Sequence, residues 1–310
     1  MPYSHHSHSG QFCKHAKNTL MEMFAAARAR RMRVFALTEH LPRPNAADLY
    51  PEEREANLDP AKLSAQFEDF VRAAREIQRQ ADTAAASDPQ TPHVLVGFEG
   101  DWIRSDESAA VIRGLLSRPQ GFDFWLGSVH HVRTIPIDFD RPTYERAREA
   151  CGGTEEALFL AYYEAQHEML VALQPPVVSH FDLIRLLSDD PGRTMGDLGN
   201  GSVWTQIKEN LNVIRTYGGL LEINSSALRK GLAEPYPRLE ICREWVRLGG
   251  DFILSDDSHA VEQVGVCYDQ VQTFFAQLGK PTIAYLAREG GRVMRRHVPV
   301  HKLWEGFFSN

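Results

Sequence analysis

Histidine and acidic residues recur at the ends of short apolar segments in this 310-residue chain. His6 and His8 form an HxH pair near the N-terminus, and Asp257 and His259 form a DxH pair in the C-terminal part. Side chains at positions i and i+2 of a strand point to the same face, so each pair can present two ligands to one ion. Imidazole nitrogens and carboxylate oxygens are donors that zinc, iron and manganese accept. The spacing therefore predicts a metal site that holds several ions.

Five further candidate ligands end or follow apolar segments. They are His15, His40 in ALTEH, Glu99 in HVLVGFEGD, His130 in LGSVHH and His180 in PPVVSH. A buried carboxylate such as Glu99 is costly unless it meets a cation or hydrogen-bond donors, which favours a role in bridging ions over a structural salt bridge. Spacing alone says least about His15, which lies in the turn or helix after the first strand.

Two pairs of neighbouring residues compete for single positions. His130 and His131 must point to opposite faces of a strand, so we expect His130 to face the site and His131 to pack outside it. Asp256 and Asp257 both precede His259, and the i, i+2 spacing favours Asp257 as the ligand. Asp256 is then a candidate for hydrogen bonding to a ligand or for pointing elsewhere.

These residues need a scaffold that gathers strand ends. Segments typical of strands lie at Val34–Thr38, His93–Phe98, Phe122–Val129, Pro176–Ser179, Leu220–Ile223 and Asp251–Leu254, with a very short one before His6. Amphipathic segments typical of helices separate them, at 61–81, after Thr154, and at 203–217, 236–248 and 262–278. This alternation favours a parallel sheet. A closed barrel brings all C-terminal strand ends to one rim, whereas an open doubly wound sheet gathers ligands mainly at its switch point. We therefore predict an α/β fold, a TIM-like barrel.

The chain is expected to form a single domain over residues 1–310. Three stretches interrupt the alternation of strands and helices, near 41–60, 133–153 and 187–202. Loops of this kind above a barrel commonly form lids or substrate walls. We therefore expect these loop insertions to border the site.

Composition limits the classes of function. The net charge is −7 with no long basic block, so we expect no nucleic-acid partner. The four cysteines form no CxxC motif, and neither a signal segment nor a run of ~18 apolar residues is present, which predicts a cytoplasmic protein with no membrane partner. The sequence contains no GxSxG, P-loop or dinucleotide-binding motif. Metal-activated water is therefore the expected nucleophile.

Two arginines suggest an anionic substrate. Arg229 follows the predicted strand Leu220–Ile223 in a polar, basic segment, and Arg185 follows His180 by five residues. Guanidinium groups beside a metal cluster suit a phosphate dianion because they offer bidentate donors that stay charged. We expect both arginines to bind phosphate, and a loop salt bridge is the alternative for each.

Together these motifs resemble the PHP (polymerase and histidinol phosphatase) superfamily over residues 4 to about 265. The segments HHSHSG and EINSSALRKGL are most similar to the fungal branch of its monofunctional histidinol-phosphate phosphatases. The resemblance implies a distorted (β/α)7 barrel with three divalent ions, which are Zn, Fe or Mn. It implies that one ion is held by His6, His8, Glu99 and Asp257, a second by Glu99, His130 and His180, and a third by His15, His40 and His259.

The resemblance also implies an activity. The hypothesis is hydrolysis of L-histidinol phosphate, a small phosphate monoester, to L-histidinol and phosphate by a metal-activated hydroxide. Asp257, Arg229 and Glu99 are the expected catalytic residues, and Asp101 and Trp102 are candidates for binding the amine and imidazole of the substrate. One alternative is a phosphoesterase of the same superfamily acting on another small phosphate ester or nucleotide. The other is a regulatory metal-binding protein without catalysis.

Overall fold

The computed structural model describes residues 2–305 and residue 307. Eleven strands lie in this part of the chain: β1 (Tyr3–Ser4), β2 (Val34–His40), β3 (His93–Asp101), β4 (Leu126–Ser128), β5 (His131–Val132), β6 (Ile135–Pro136), β7 (Val177–Val178), β8 (Leu220–Asn224), β9 (Asp251–Ser255), β10 (Thr282–Glu289) and β11 (Arg292–Pro299). Each strand predicted from the sequence has a counterpart among them.

Nine of these strands form one sheet in the order β1-β2-β3-β4-β7-β8-β9-β10-β11. The pairs from β1 to β9 are all parallel. The sheet curls until the segment after β1 meets the end of β9, where the backbone N–H of His5 donates to Leu254 O at 3.2 Å and that of His8 donates to Ser258 O at 2.8 Å. Seven parallel strands therefore surround a common axis, and the predicted TIM-like α/β barrel is confirmed.

Helices follow most of the parallel strands and cover the sheet. They are α1 (Leu20–Ala29), α2 (Pro51–Glu55), α3 (Pro60–Ala85), α4 (Ser105–Leu116), α5 (Arg141–Ala150), α6 (Glu155–Leu173), α7 (Ser202–Tyr217), α8 (Ser226–Arg229), α9 (Leu239–Arg247), α10 (Tyr268–Leu278) and α11 (Val300–Leu303). Asp59 caps α3 by accepting from Lys62 N at 2.8 Å, and α3 buries one apolar stripe that includes Phe67 and Phe70. In the described part of the chain, no helix combines the length and apolarity needed to cross a bilayer.

A hairpin that was not predicted from the sequence extends the sheet beyond β9. Strand β10 pairs parallel to β9 through Ala284 and Ile253, and β11 pairs antiparallel to β10 over eight residue pairs. The hairpin is tied to the barrel by His5, whose Nε2 accepts from Leu286 N at 3.2 Å while its Nδ1 lies 3.0 Å from Leu254 O. Burial lowers the pKa of His5 to about 4, so this imidazole is a neutral structural link.

The three predicted insertions contain short ordered elements. The first, near 41–60, holds a 3₁₀ turn at Ala46–Asp48 and the helix α2. The second, near 133–153, follows β5 and holds β6 and α5, while the third, near 187–202, holds a 3₁₀ segment at Met195–Gly201. The first and second insertions both contribute residues to the cavity described next.

Candidate metal centre

The candidate ligands lie at the C-terminal ends of the parallel strands. His40 is the last residue of β2, and Glu99 lies near the end of β3. His6, His130, His180 and Asp257 each follow the last residue of β1, β4, β7 and β9 by two positions. Because all seven strands run in the same direction around the barrel, these side chains meet at one rim.

Glu99 is at the centre of the cluster and is 1% exposed. Its Oε2 lies 2.9 Å from His40 Nδ1, 3.3 Å from His6 Nε2 and 3.4 Å from His8 Nε2. Burial acts to raise the pKa of Glu99, but the surrounding imidazoles overcome this effect and hold that pKa well below its usual range. Glu99 is therefore an ionised carboxylate that faces several imidazoles at once.

The other oxygen of Glu99 faces a second group of histidines. Its Oε1 lies 2.8 Å from His180 Nε2 and 3.4 Å from His130 Nε2. Each oxygen of this carboxylate thus faces a different group of imidazoles, an arrangement that suits a ligand bridging two ions.

Asp257 faces the HxH pair, whereas Asp256 points away from it. Asp257 Oδ1 lies 3.6 Å from His8 Nε2 and 3.8 Å from His6 Nε2. Its backbone is in the left-handed region with φ of 48°, which directs the side chain into the cluster. Asp256 instead accepts hydrogen bonds from Ser4 Oγ at 2.9 Å and from the backbone N–H of Gly265 at 2.7 Å.

A third group combines His15, His40 and His259 with Cys13. Their ligand atoms all lie within 4.8 Å of one another, and the ring of His15 lies 5.3 Å from that of His40 and 5.1 Å from that of His259. Cys13 Sγ lies 3.1 Å from His15 Nε2. Cys13 was not predicted from the sequence as part of the site, although its CxH spacing to His15 was a visible signal.

Several imidazole nitrogens in this cluster are buried without a hydrogen-bond partner among the described residues. They are Nε2 of His6, both ring nitrogens of His8, Nε2 of His40 and Nδ1 of His180. Buried polar atoms are nearly always paired, so this concentration needs an explanation. Burial, with the neighbouring His40 and His6, also holds the pKa of His8 well below its usual value, which favours the neutral form that binds metals. The donor set therefore fits divalent ions.

A layer of carboxylates lies behind the histidines. Glu222, fully buried in β8, accepts from His6 Nδ1 at 2.9 Å and from the backbone N–H of His180 at 2.6 Å. Asp101 Oδ1 lies 3.3 Å from His130 Nδ1, and Glu39 Oε2 lies 3.5 Å from His8 Nδ1. Such carboxylates fix the orientation and tautomer of a ligating histidine. None of these three acids was predicted from the sequence to have this role.

The cluster opens into a cavity of about 520 Å³. Among the predicted site residues, its wall includes His15, His40, Glu99, His130, His180, Arg229, Asp257 and His259, and it also includes Lys14, Tyr50, Glu52, Asp138, Phe139, Leu183, Lys230 and Gln263. Arg229 Nη2 donates to Asp257 O at 3.0 Å, and its buried Nε has no partner among the described residues. An anion that enters this cavity meets the cation of Arg229 beside the metal-binding cluster.

Three predicted substrate-binding residues are not brought to the cavity. Arg185 donates to Asp182 Oδ2 at 2.8 Å and to the carbonyl oxygens of Glu234 and Pro235, so its guanidinium holds the loops together. Trp102 is 3% exposed and packs in the apolar core. Asp101 contacts both His130 and His131 from behind.

The chain belongs to the PHP domain family, whose domain matches residues 4–226. It is 35% identical to the probable histidinol-phosphatase of Schizosaccharomyces pombe over 309 residues, spanning 99% of this chain and 97% of that protein. It is also 35% identical to the histidinol-phosphatase of Saccharomyces cerevisiae over 303 residues, spanning 89% of this chain and 88% of that protein. These two matches confirm the expected similarity to the fungal branch.

Solved structures show the same fold. The histidinol phosphate phosphatase of Lactococcus lactis, solved with zinc, L-histidinol and phosphate, superposes with a TM-score of 0.67 at 16% identity over 94% of this chain and 98% of that one. A protein of Listeria monocytogenes superposes with a TM-score of 0.71 at 21% identity over 86% of this chain and 99% of that one.

Proposed function

We propose that this chain hydrolyses L-histidinol phosphate to L-histidinol and inorganic phosphate. The observation that carries the proposal is the buried cluster of unpartnered imidazole nitrogens around Glu99, which opens into a cavity that also presents Arg229. The two fungal relatives at 35% identity, both named for this activity, support the choice of substrate.

We infer that the cluster holds three divalent ions, zinc, iron or manganese. One set consists of His6, His8, Glu99 and Asp257, the second of Glu99, His130 and His180, and the third of His15, His40 and His259. Three groups with ligand atoms within 4.8 Å of one another support the division: His6 with His8 and Glu99, Glu99 with His130 and His180, and His15 with His40, His259 and Cys13. Asp257 groups both with His6 and His180 and with His8 and His259, so it lies between the sets. Divalent ions in such a set supply Lewis acidity toward phosphate oxygens and acidify a water molecule.

The protein's own side chains bind the phosphate and keep the ligands in their binding form. Arg229 stabilises the charge that develops on the phosphate oxygens during the reaction. Glu222 and Asp101 keep a proton on Nδ1 of His6 and His130, which leaves the lone pair of Nε2 directed at Glu99. Glu99 and Asp257 supply the negative charge that retains the ions.

The test is phosphate release from L-histidinol phosphate by protein whose metal content has been measured, beside a panel of nucleotides and other small phosphate monoesters. Release from nucleotides but not from L-histidinol phosphate would refute the choice of substrate. Metal uptake without turnover on any ester would instead identify a binding protein.

Two histidine variants test the assignment of the third set of ligands. His40→Ala is expected to lose one ion and most activity, because its Nδ1 lies 2.9 Å from Glu99 inside the cluster. His93→Ala is the matched control, since His93 is exposed at the start of β3, away from the rim. Full activity and full metal content in His40→Ala would contradict the third set.

A further inference from the structure

Asp138 places an unpaired carboxylate oxygen in the wall of the cavity. Its Oδ1 is buried and has no hydrogen-bond partner among the described residues. We propose that Asp138 is the specificity-determining residue that binds the cationic end of the substrate, its ammonium or imidazolium group. This inference rests on the proposed function, because it concerns the part of L-histidinol phosphate remote from phosphorus.

The backbone around Asp138 is held on both sides. Before it, His131 pairs with Pro136 between β5 and β6, and the N–H of Ile137 donates to His130 O at 2.9 Å. After it, Asp140 caps α5 by accepting from Thr143 N at 2.8 Å. The hairpin of β5 and β6, which begins directly after the predicted metal ligand His130, therefore holds the backbone of Asp138 in a defined position. A group positioned in this way can recognise a ligand without first being ordered.

A carboxylate oxygen that is buried and unpaired is unfavourable, and a bound cation would remove this cost. Three other acids line the cavity. Glu99 and Asp257 face the imidazoles of the ligand cluster, and Glu52 Oε1 lies 3.3 Å from His15 Nδ1, while the buried Oε2 of Glu52 also has no hydrogen-bond partner among the described residues. Asp138 is thus the acid of this wall that forms no ion pair with a histidine among the described residues, so its charge is available to a bound cation.

Aromatic side chains lie beside Asp138. Phe139 follows it in the chain and is 41% exposed, although it lines the cavity, and its ring lies 6.1 Å from that of Tyr50. Aromatic faces attract cations and stack on planar rings such as imidazole. An acid beside two aromatic rings is chemistry that suits a substrate with both an ammonium and an imidazole group.

Positively charged side chains lie in another part of the cavity wall. Arg229 and Lys230 line the cavity beside the ligand cluster and suit the phosphate. The cavity therefore has an anion-binding part and a cation-binding part within about 520 Å³, a volume typical of small-molecule sites. A phosphate monoester without a cationic group can use only the first part.

The experiment compares kcat/KM for L-histidinol phosphate with kcat/KM for p-nitrophenyl phosphate, which has no cationic group. In Asp138→Asn this ratio is expected to fall by about 10- to 100-fold, the usual weight of a hydrogen bond between charged groups. Glu149→Gln is the matched control, because Glu149 is exposed on α5 and its replacement removes one negative charge from the same insertion. An unchanged ratio in Asp138→Asn would overturn the inference.

Two analogues identify the group that Asp138 binds. One lacks the amine and keeps the imidazole, and the other keeps the amine and lacks the imidazole. The effect of Asp138→Asn is expected to persist with the analogue that retains the bound group and to vanish with the other. An equal, small effect on both analogues and on p-nitrophenyl phosphate would indicate a general change in the site and would refute the role in specificity.

Failure of the proposed function remains distinguishable from failure of this inference. Wild-type protein that releases no phosphate from L-histidinol phosphate refutes the function. Inhibition by L-histidinol of whichever phosphate ester is hydrolysed then still tests Asp138. The inhibition constant rises at least about 10-fold in Asp138→Asn if the inference holds, and is unchanged if it does not.

Discussion

Replacing Glu222 with glutamine is expected to weaken both metal binding and the fold. Each oxygen of this fully buried carboxylate accepts two hydrogen bonds. Oε1 receives His6 Nδ1 at 2.9 Å and Ser255 Oγ at 2.5 Å, and Oε2 receives His180 N at 2.6 Å and Asn224 Nδ2 at 3.0 Å. Burial acts to raise the pKa of Glu222, but His6 and His180 outweigh it and keep that pKa below its usual value, so the group is ionised.

A glutamine at this position has one acceptor oxygen and one NH₂ group, and neither orientation fits. If the NH₂ group replaces Oε2, it faces the backbone N–H of His180, which can only donate. If it replaces Oε1, it donates to Nδ1 of His6, which moves the ring proton to Nε2 and blocks the nitrogen that faces Glu99. In the first orientation two donors, the backbone N–H of His180 and Nδ2 of Asn224, lose their acceptor, whereas in the second orientation the His6 ring changes tautomer. In the first orientation the free energy of unfolding should therefore fall by about 2–6 kcal/mol, at about 1–3 kcal/mol for each unpaired buried group.

The assay is urea unfolding of metal-free and zinc-loaded protein, together with a zinc titration against a chromophoric chelator. The loss of stability should appear in the metal-free protein, and zinc affinity should fall by about 10- to 100-fold. Exposed Glu149→Gln should change neither quantity. A Glu222→Gln protein with wild-type zinc affinity would refute the reasoning that this carboxylate sets the tautomer of His6.

Three further outcomes follow from the site and the packing. Arg229→Ala should lower kcat/KM by about 10²- to 10³-fold in steady-state assays while metal content is kept, and a loss of metal would instead show a structural role. Chelation should lower the thermal unfolding temperature, because ions at a hundredfold excess over Kd stabilise the fold by about 2.7 kcal/mol, and an unchanged melting curve would contradict the metal centre. Gly127→Ala should reduce the free energy of unfolding in urea by about 1–3 kcal/mol, since its Cβ would lie 2.7 Å from Pro175 Cγ. Gly114→Ala on α4 is the matched control, because its Cβ meets no atom within 4 Å, and an equal loss there would refute the steric cause.

The sequence was sufficient to locate the seven parallel strands, because each is a short apolar segment that ends in a polar residue. The hairpin of β10 and β11 was missed for a physical reason. Its second strand contains Arg292, Arg295 and Arg296 and is largely exposed, so it lacks the apolar pattern by which buried strands are found. The available signal was the two-residue connection Gly290-Gly291, in which both residues have positive φ, as hairpin turns require.

In the site, ligand pairs within one strand could be predicted from the sequence, whereas contacts between strands could not. The pairs His6/His8 and Asp257/His259 can be read from the i, i+2 spacing, because strand geometry alone places their side chains. The contact of Glu222 with His6 joins residues 216 positions apart. It depends on the curl that brings β8 opposite the segment after β1, and no local spacing contains that information. Apolar periodicity identifies the strands, and the strand ends show where the ligands lie. The acids that orient those ligands come from neighbouring strands. A rim of histidines at strand ends therefore predicts that an acid two residues before a strand's end belongs to the site. Glu99 holds this position in β3, and Glu222 holds it in β8, where no motif names it.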